Sequence, residues 1–207
     1  RSSDLVVTKA ISVMYPDIGK NMQHIAHGMM RFASGKMSSR KGNVVTGESL
    51  MSDARDVVYE KMADRDFTGE EKETIASQVG VAALKYSILK QALGGDIIYD
   101  FEKSISFDGD SGPYLQYTTV RASAVLEKGK REGIAPSAVF PENWQTTNLE
   151  KHLYRFPEVV LRSYEQIEPH HIATYLTELA SAFNSFYGNT LVVNKDDQHS
   201  GYRVALV

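Results

Sequence analysis

Residues 68–95 constrain the fold more than any other stretch of this sequence. The stretch opens with Thr68-Gly69-Glu70-Glu71, a capping box in which the threonine hydroxyl and a glutamate carboxylate each satisfy a backbone N–H orphaned at a helix start. Apolar residues then recur in steps of four and three, at Ile75, Val79, Ala82, Tyr86, Leu89 and Leu93, which is the period of one helical face. Val81, Leu84 and Ile88 add a second apolar side, so the pattern predicts a long helix that is largely buried. Gly94-Gly95 supplies the stop. Core packing accounts for the whole pattern, and it carries no chemistry. A helix of this kind needs other helices around it.

The remaining sequence offers them. Leu5, Val6, Ile11 and Met14 fall at roughly helical spacing until Tyr15-Pro16 ends the run. Residues 23–32 read as a strand. Thr46 is a helix N-cap with Glu48 placed to favour the helix dipole, and that helix is expected to run to about Arg65. Residues 96–107 read as a short extended connection, ending in the turn Asp108-Gly109-Asp110-Ser111-Gly112. Pro113 suits a first helical turn, and the helix is expected over residues 114–132 with Gly133 as its stop. One of its faces carries Leu115, Ala122 and Leu126. A second carries Tyr117 and Arg121 at i,i+4, followed by Lys128 and Arg131. After a Pro-containing loop with Trp144, three helices are expected over 149–156, 157–166 and 169–187, the last striped by Ile172, Leu176, Leu179, Phe183 and Phe186. A polar loop over 194–201 leads to a final helix from Tyr202. The fold class expected is mainly α.

The chemistry concentrates in Gly35-Lys36-Met37-Ser38-Ser39-Arg40-Lys41-Gly42-Asn43, which offers three cations, two hydroxyls and no acid. Lys and Arg neutralise phosphate oxygens, Arg bidentately, and glycine lets the backbone approach an anion. A strand that delivers such a loop at its end matches where phosphate sites of α/β folds lie. The overall charge of -3 gives no global attraction to nucleic acid, so any RNA contact must come from local patches. There is no cysteine, which excludes disulfides and thiolate metal sites and fits a cytoplasmic location. The absence of an initiator Met and the apolar end Val204-Ala205-Leu206-Val207 lead us to expect a piece of a longer protein.

Two histidine pairs could be taken for ligands. His24-Ile25-Ala26-His27-Gly28 looks like the HIGH signature of class I synthetases, but it lies only about ten residues before the basic loop, with Ala at its third position. On a strand, i,i+3 histidines face opposite ways. His170-His171, at a helix start, read as first-turn surface residues. No metal site and no protein-bound structural metal are expected.

Lys36-Met37-Ser38 followed by Lys41-Gly42-Asn43 resembles the KMSKS loop of class I aminoacyl-tRNA synthetases, with Ser39 where that pattern has its second Lys. The second half narrows the resemblance. Ser106-Phe107-Asp108-Gly109-Asp110-Ser111-Gly112-Pro113-Tyr114-Leu115-Gln116-Tyr117, with Arg121 after it, is similar to the block that opens the helical anticodon-binding domain of arginyl-tRNA synthetases. Arg155-Phe156-Pro157-Glu158-Val159-Val160 and Leu179-Ala180-Ser181-Ala182-Phe183-Asn184-Ser185-Phe186-Tyr187 resemble the same family, in the same order.

The resemblance implies a remnant of the Rossmann-like catalytic domain over residues 1–105 and an all-helical anticodon-binding domain over 106–207. It implies ATP-dependent esterification of arginine to tRNA(Arg), with Mg2+ accompanying ATP, by a monomer. Lys36, Met37, Ser38, Ser39, Arg40 and Lys41 would bind ATP, the polar ones stabilising charge as pyrophosphate leaves. Unpaired anticodon bases are read by aromatic stacking and hydrogen bonds, and Tyr117, Arg121, Asn184 and Tyr187 would supply them. The HIGH-motif half is absent, so this stretch alone is expected to be inactive. A non-catalytic RNA-binding module and a class I lysyl enzyme are the alternatives.

Overall fold

The computed structural model describes residues 2–32 and 46–207. The basic loop, residues 36–43, lies outside the described residues, and with it the expected ATP contacts.

The described chain is mainly helical. Helix α1 (Ser2–Met14) is followed by the single turn α2 (Pro16–Gly19), which packs against it. Strand β1 (Met30–Phe32) pairs in parallel with β2 (Ile97–Tyr99), Met30 opposite Ile97 and Phe32 opposite Tyr99. A parallel pair needs a crossover connection, and helices α3 (Gly47–Lys61) and α4 (Gly69–Leu89) lie within it. The short α5 (Phe101–Ser104) follows. Helices α6 (Gly112–Arg131), α7 (Asn148–Gln166), α8 (His170–Asn189) and α9 (Ser200–Ala205) make up the second half.

The starts of α3, α4 and α6 follow from local chemistry. Thr46, Thr68 and Ser111 are extended N-caps whose hydroxyls accept from the backbone N–H of Ser49, Glu71 and Tyr114. At Thr68 the Glu71 carboxylate completes the box, accepting from the Thr68 N–H at 2.8 Å. Such caps contribute about 1 kcal/mol each.

Several expectations change. Only three residues of the expected strand over 23–32 are strand, because only these find β2 to pair with; short strands exist through their ladders rather than through propensity. For the same reason β2 emerges from what reads as an extended connection, and α5 starts after Asp100, whose carboxylate caps it by accepting from the Lys103 N–H at 3.2 Å. Helix α4 ends at Leu89, before Gly94-Gly95, and α3 ends at Lys61 rather than near Arg65. The buried residues of α4 are Ala76, Gly80, Ala83, Leu84, Tyr86 and Ser87, so only Tyr86 of the expected stripe and Leu84 of the second apolar side are fully covered and small residues take the other places. Leu89 and Leu93 are exposed.

Close helix approach explains those small residues. A Cβ on Gly80 would lie 2.9 Å from the Arg55 backbone nitrogen of α3, and one on Gly112 would lie 2.6 Å from the Ala82 carbonyl oxygen. Small residues let α4 sit against α3 on one side and the start of α6 on the other.

Helix α7 is continuous through Pro157, where two helices were expected. Proline removes one intrahelical bond, freeing the carbonyl of Leu153. Leu153 and Phe156 are exposed, so water can satisfy that carbonyl, while Leu149, Val159 and Ser163 are buried on the side that packs on α8. Burial of one face therefore outweighs the local break.

One core holds the second half together. Val125, Leu149, Phe183, Phe186, Val192, Val193 and Val204 are buried against each other. Smaller clusters lie under α3 and α4 (Val58, Ala76, Ala83, Ile105) and beside the strands (Leu50, Leu84, Tyr99). Beyond the first turn of α6 the buried residues are Thr118, Val125 and Gly129, not Leu126, which is 40% exposed. Ile172 and Leu176 of the expected α8 stripe give way to Ala173, Tyr175, Ala180 and Ala182 beside Phe183 and Phe186.

A polar seam joins α4 to the second half. The buried Tyr86 of α4 donates its hydroxyl to Asp110 and shares a hydrogen bond with Thr177 of α8. Lys90 donates to both the Asp110 carbonyl and its carboxylate at 3.0 Å. Burial pushes the Asp110 carboxyl up, but the bonds from Tyr86 and Lys90 and the Lys90 charge outweigh it and hold it below the usual carboxylate range. Burial, with Asp110 alongside, raises the Tyr86 phenol well above its ordinary value.

Candidate nucleic-acid interface

The site is built on the packing of α6 against α8. On α6, Tyr114, Thr118 and Arg121 follow at spacings of four and three, with Tyr117 one step around the helix, so all four overlook α8. On α8, Asn184 and Tyr187 are one turn apart.

Arg121 is the centre. Its guanidinium lies over the Tyr117 ring at 4.7 Å and over the Tyr187 ring at 5.1 Å. One arm donates to the Tyr117 hydroxyl at 2.9 Å, and the other donates to the Asn184 side-chain carbonyl. A guanidinium has five N–H donors in a fixed fork, so these two bonds leave three for a ligand. The amide of Asn184 is turned by its own donations, to the Tyr114 hydroxyl and the Thr118 hydroxyl, both at 3.0 Å. That leaves its oxygen for Arg121.

The result is a cation held between two aromatic rings, each such contact worth about 0.5–1 kcal/mol where exposed. Tyr117 is 46% and Tyr187 41% exposed, enough for part of each ring to meet a flat partner. Tyr187 also stacks on the buried Phe183, with centroids 6.2 Å apart. A ligand would therefore find rigid aromatic surface, an anchored positive charge and spare donors in one place.

All four residues singled out from the sequence meet here. Tyr114 and Thr118, which orient Asn184, were missed. Their i,i+4 spacing, with Arg121 three residues on, was the signal in the sequence. The basic residues of the last turn of α6, Lys128, Lys130 and Arg131, continue the same helix.

The other histidine-bearing stretch has a different setting. His24 and His27 are exposed, His27 bonding the Gly28 carbonyl oxygen at 2.9 Å. Both line an open cleft of about 1600 Å³ between α1 and the approach to β1, with Leu5, Met29, Arg31 and Ile88. Arg31 is held at its edge by Asp96 at 2.7 Å. His170 and His171 fall in the first turn of α8, where their side chains are half-buried, at 18% and 14% exposed.

Among the described residues no helix is long and apolar enough to cross a membrane.

Comparison with known proteins agrees with this layout. Residues 3–101 match the family described as tRNA synthetases class I (R), catalytic domain, and residues 115–207 match the DALR anticodon binding domain. Among curated proteins, the arginine–tRNA ligase of Clostridium perfringens is 34% identical over 93% of this chain and 34% of its own length. That of Fusobacterium nucleatum is 36% identical over 92% and 35%. Among solved structures, Thermus thermophilus arginyl-tRNA synthetase superposes with a TM-score of 0.78 at 25% identity, covering 97% of this chain and 34% of that one. The Plasmodium falciparum enzyme shares the fold, with a TM-score of 0.61 at 20% identity over 87% of this chain and 31% of that one. The chain thus spans about a third of the length of the curated relatives it matches. Through both of its halves, it belongs to the class I arginyl-tRNA synthetase family.

Proposed function

We propose that this chain is the part of an arginine–tRNA ligase that contributes the ATP-phosphate loop and reads the anticodon of tRNA(Arg). The stacked cluster of Tyr117, Arg121 and Tyr187, tied to Asn184, carries the reading. Unpaired bases stack on exposed aromatic rings, and an anchored guanidinium pairs with a phosphate or a base edge. Its position inside the DALR match supports an anticodon ligand over any other RNA.

Under this proposal residues 1–105 contribute to the catalytic domain and 106–207 form the anticodon-binding domain. Lys36, Ser38, Ser39, Arg40 and Lys41, with Met37 among them, contact the phosphates of ATP, which binds with Mg2+. Their work is electrostatic: cations and hydroxyl donors stabilise the charge that develops as pyrophosphate departs, without exchanging a proton. We place the protein in the cytoplasm as a monomer.

The test is the affinity of the 207-residue chain for a tRNA(Arg) transcript and for the same transcript with its middle anticodon base changed, at one salt concentration, since phosphate attraction is salt-dependent. Weakening by about 10-fold or more on the base change, the cost typical of losing one stacked or hydrogen-bonded base, supports the proposal. Equal binding to both transcripts would leave only phosphate attraction and overturn it.

A further inference from the structure

The corner between α7 and α8 brings together four donor groups that the tRNA reading does not use. Gln166 is the last residue of α7, Glu168 follows it, and His170 and His171 open α8. The Glu168 carboxylate lies 3.7 Å from His170 Nδ1 and 3.2 Å from His171 Nε2, and the Gln166 side-chain oxygen lies 2.7 Å from the same His171 Nε2. The two imidazole nitrogens and the carboxylate oxygen all fall within 4.8 Å of one another. For metal–ligand bonds of about 2.0–2.1 Å, adjacent donors of a tetrahedral ion stand roughly 3.3–3.5 Å apart, so little movement separates this arrangement from a coordination sphere.

We propose that Glu168, His170 and His171 bind one divalent transition-metal ion, of the zinc or cobalt class, with the Gln166 carbonyl oxygen beside the fourth position. The donor set, two imidazoles and a carboxylate, suits such ions and not calcium or magnesium, which prefer oxygen alone.

Three observations carry this. His170 Nδ1 is buried and has no hydrogen-bond partner among the described residues, a state that is costly for a polar atom and that a metal would relieve. The two rings lie against each other, with centroids 4.1 Å apart, so both imidazoles are presented at the same corner. The backbone that presents them is fixed. Ile167 caps α7 in the left-handed region, at φ 56°, a conformation disfavoured for a β-branched residue. The Glu168 N–H donates to the Ser163 carbonyl at 3.0 Å, and the Ser163 hydroxyl donates to the Glu168 carbonyl at 3.0 Å.

The electrostatics permit a cation. The negative end of the α7 dipole and the positive end of the α8 dipole meet at this corner and offset one another, while Glu168 adds a full negative charge. Arg162 is the opposing charge. It acts on His171 from nearby. A bound ion would clamp α7 to α8, at the opposite end of α8 from Asn184, about 20 Å away along the helix.

The test is titration of the chelator-treated 207-residue chain with Co2+, read by visible d–d absorption, followed by displacement with Zn2+. The expected result is one Co2+ per chain, displaced by Zn2+, with a Tm raised by Zn2+. His170→Ala and His171→Ala each weaken Co2+ binding by at least about tenfold, whereas the double variant His24→Ala, His27→Ala binds like the parent. A chain that shows no Co2+ absorption, or one whose absorption survives both α8 substitutions, overturns the site. Should the alanine variants lose helicity, Glu168→Gln decides, since it keeps the side-chain volume: a tenfold loss supports the site, and unchanged affinity overturns it.

Discussion

The two halves of the chain dispose of their apolar surface differently. In the second half, α6, α7, α8 and α9 turn their apolar sides toward one cluster, with Leu149 at 2% and Val204 at 2% exposure. In the first half, α3 and α4 pack tightly through small residues, but α1 has α2 as its main neighbour. It leaves Leu5, Val6 and Val13 between 58% and 74% exposed. Helical periodicity is present in both halves, so it does not by itself make a core. A core also requires helices that face one another at complementary positions, and Gly80 and Gly112 show how much of that is set by backbone approach.

The contrast can be broken most directly by substitution. Phe183→Ala removes a ring buried among Val125, Leu149 and Phe186 and is expected to cost about 3–5 kcal/mol in urea unfolding. Val6→Ala, on the exposed side of α1, is expected to stay within about 0.5 kcal/mol. Comparable losses for the two would show that α1 has a core of its own. The seam between the halves gives a smaller effect. Tyr86→Phe deletes the hydroxyl that reaches both Asp110 and Thr177 and is expected to cost about 1–2 kcal/mol. Calorimetry should then show the two halves separating into less coincident transitions; a transition as sharp as the parent's would mean that the seam does not couple them.

The smallest effect is pH-dependent and belongs to the second half. Glu150 accepts from the Thr147 N–H at 2.7 Å, from Trp144 Nε1 at 3.0 Å and from the Tyr202 hydroxyl at 2.6 Å. Burial pushes its carboxyl up, but these bonds outweigh it and hold it below the usual range, while burial and then Glu150 push the Tyr202 phenol up to about 12. A carboxylate whose pKa is depressed on folding adds stability above its unfolded pKa and loses it as pH falls through the folded one. Glu150→Gln should therefore be less stable than the parent at pH 7, with the deficit shrinking as pH falls below about 4, where unfolded glutamates take up protons. Urea midpoints at pH 7 and pH 3 check this, and a deficit that grows with acid would contradict it.

Much of the architecture was legible where the chemistry is local. Thr46 and Thr68 announce their helices because a cap needs only the next three residues, and Thr147-Asn148-Leu149-Glu150 is a third capping box that the sequence reading passed over. What escaped depends on partners distant in sequence. Residues 97–99 become a strand only beside Met30, Pro157 stays helical only because α8 buries the other side, and the buried face of α4 is set by Arg55 and Gly112. The candidate interface was legible for a similar reason. Tyr117 and Arg121 share one helix face, and Asn184 and Tyr187 share another. Their meeting depends on the packing of α6 on α8, and so do the roles of Tyr114 and Thr118 in turning the Asn184 amide.

The central claim is that the Arg121 cluster reads the anticodon rather than merely holding two helices together. The decisive measurement is the ratio of affinities of Arg121→Ala for tRNA(Arg) with its native and its altered middle anticodon base, at the salt concentration used for the parent. If the cluster reads bases, the variant keeps its helicity, binds the native transcript at least about 10-fold more weakly, the scale of one lost specific contact of 1–3 kcal/mol, and no longer distinguishes the two transcripts. A folded Arg121→Ala chain that discriminates between them as well as the parent would contradict the account.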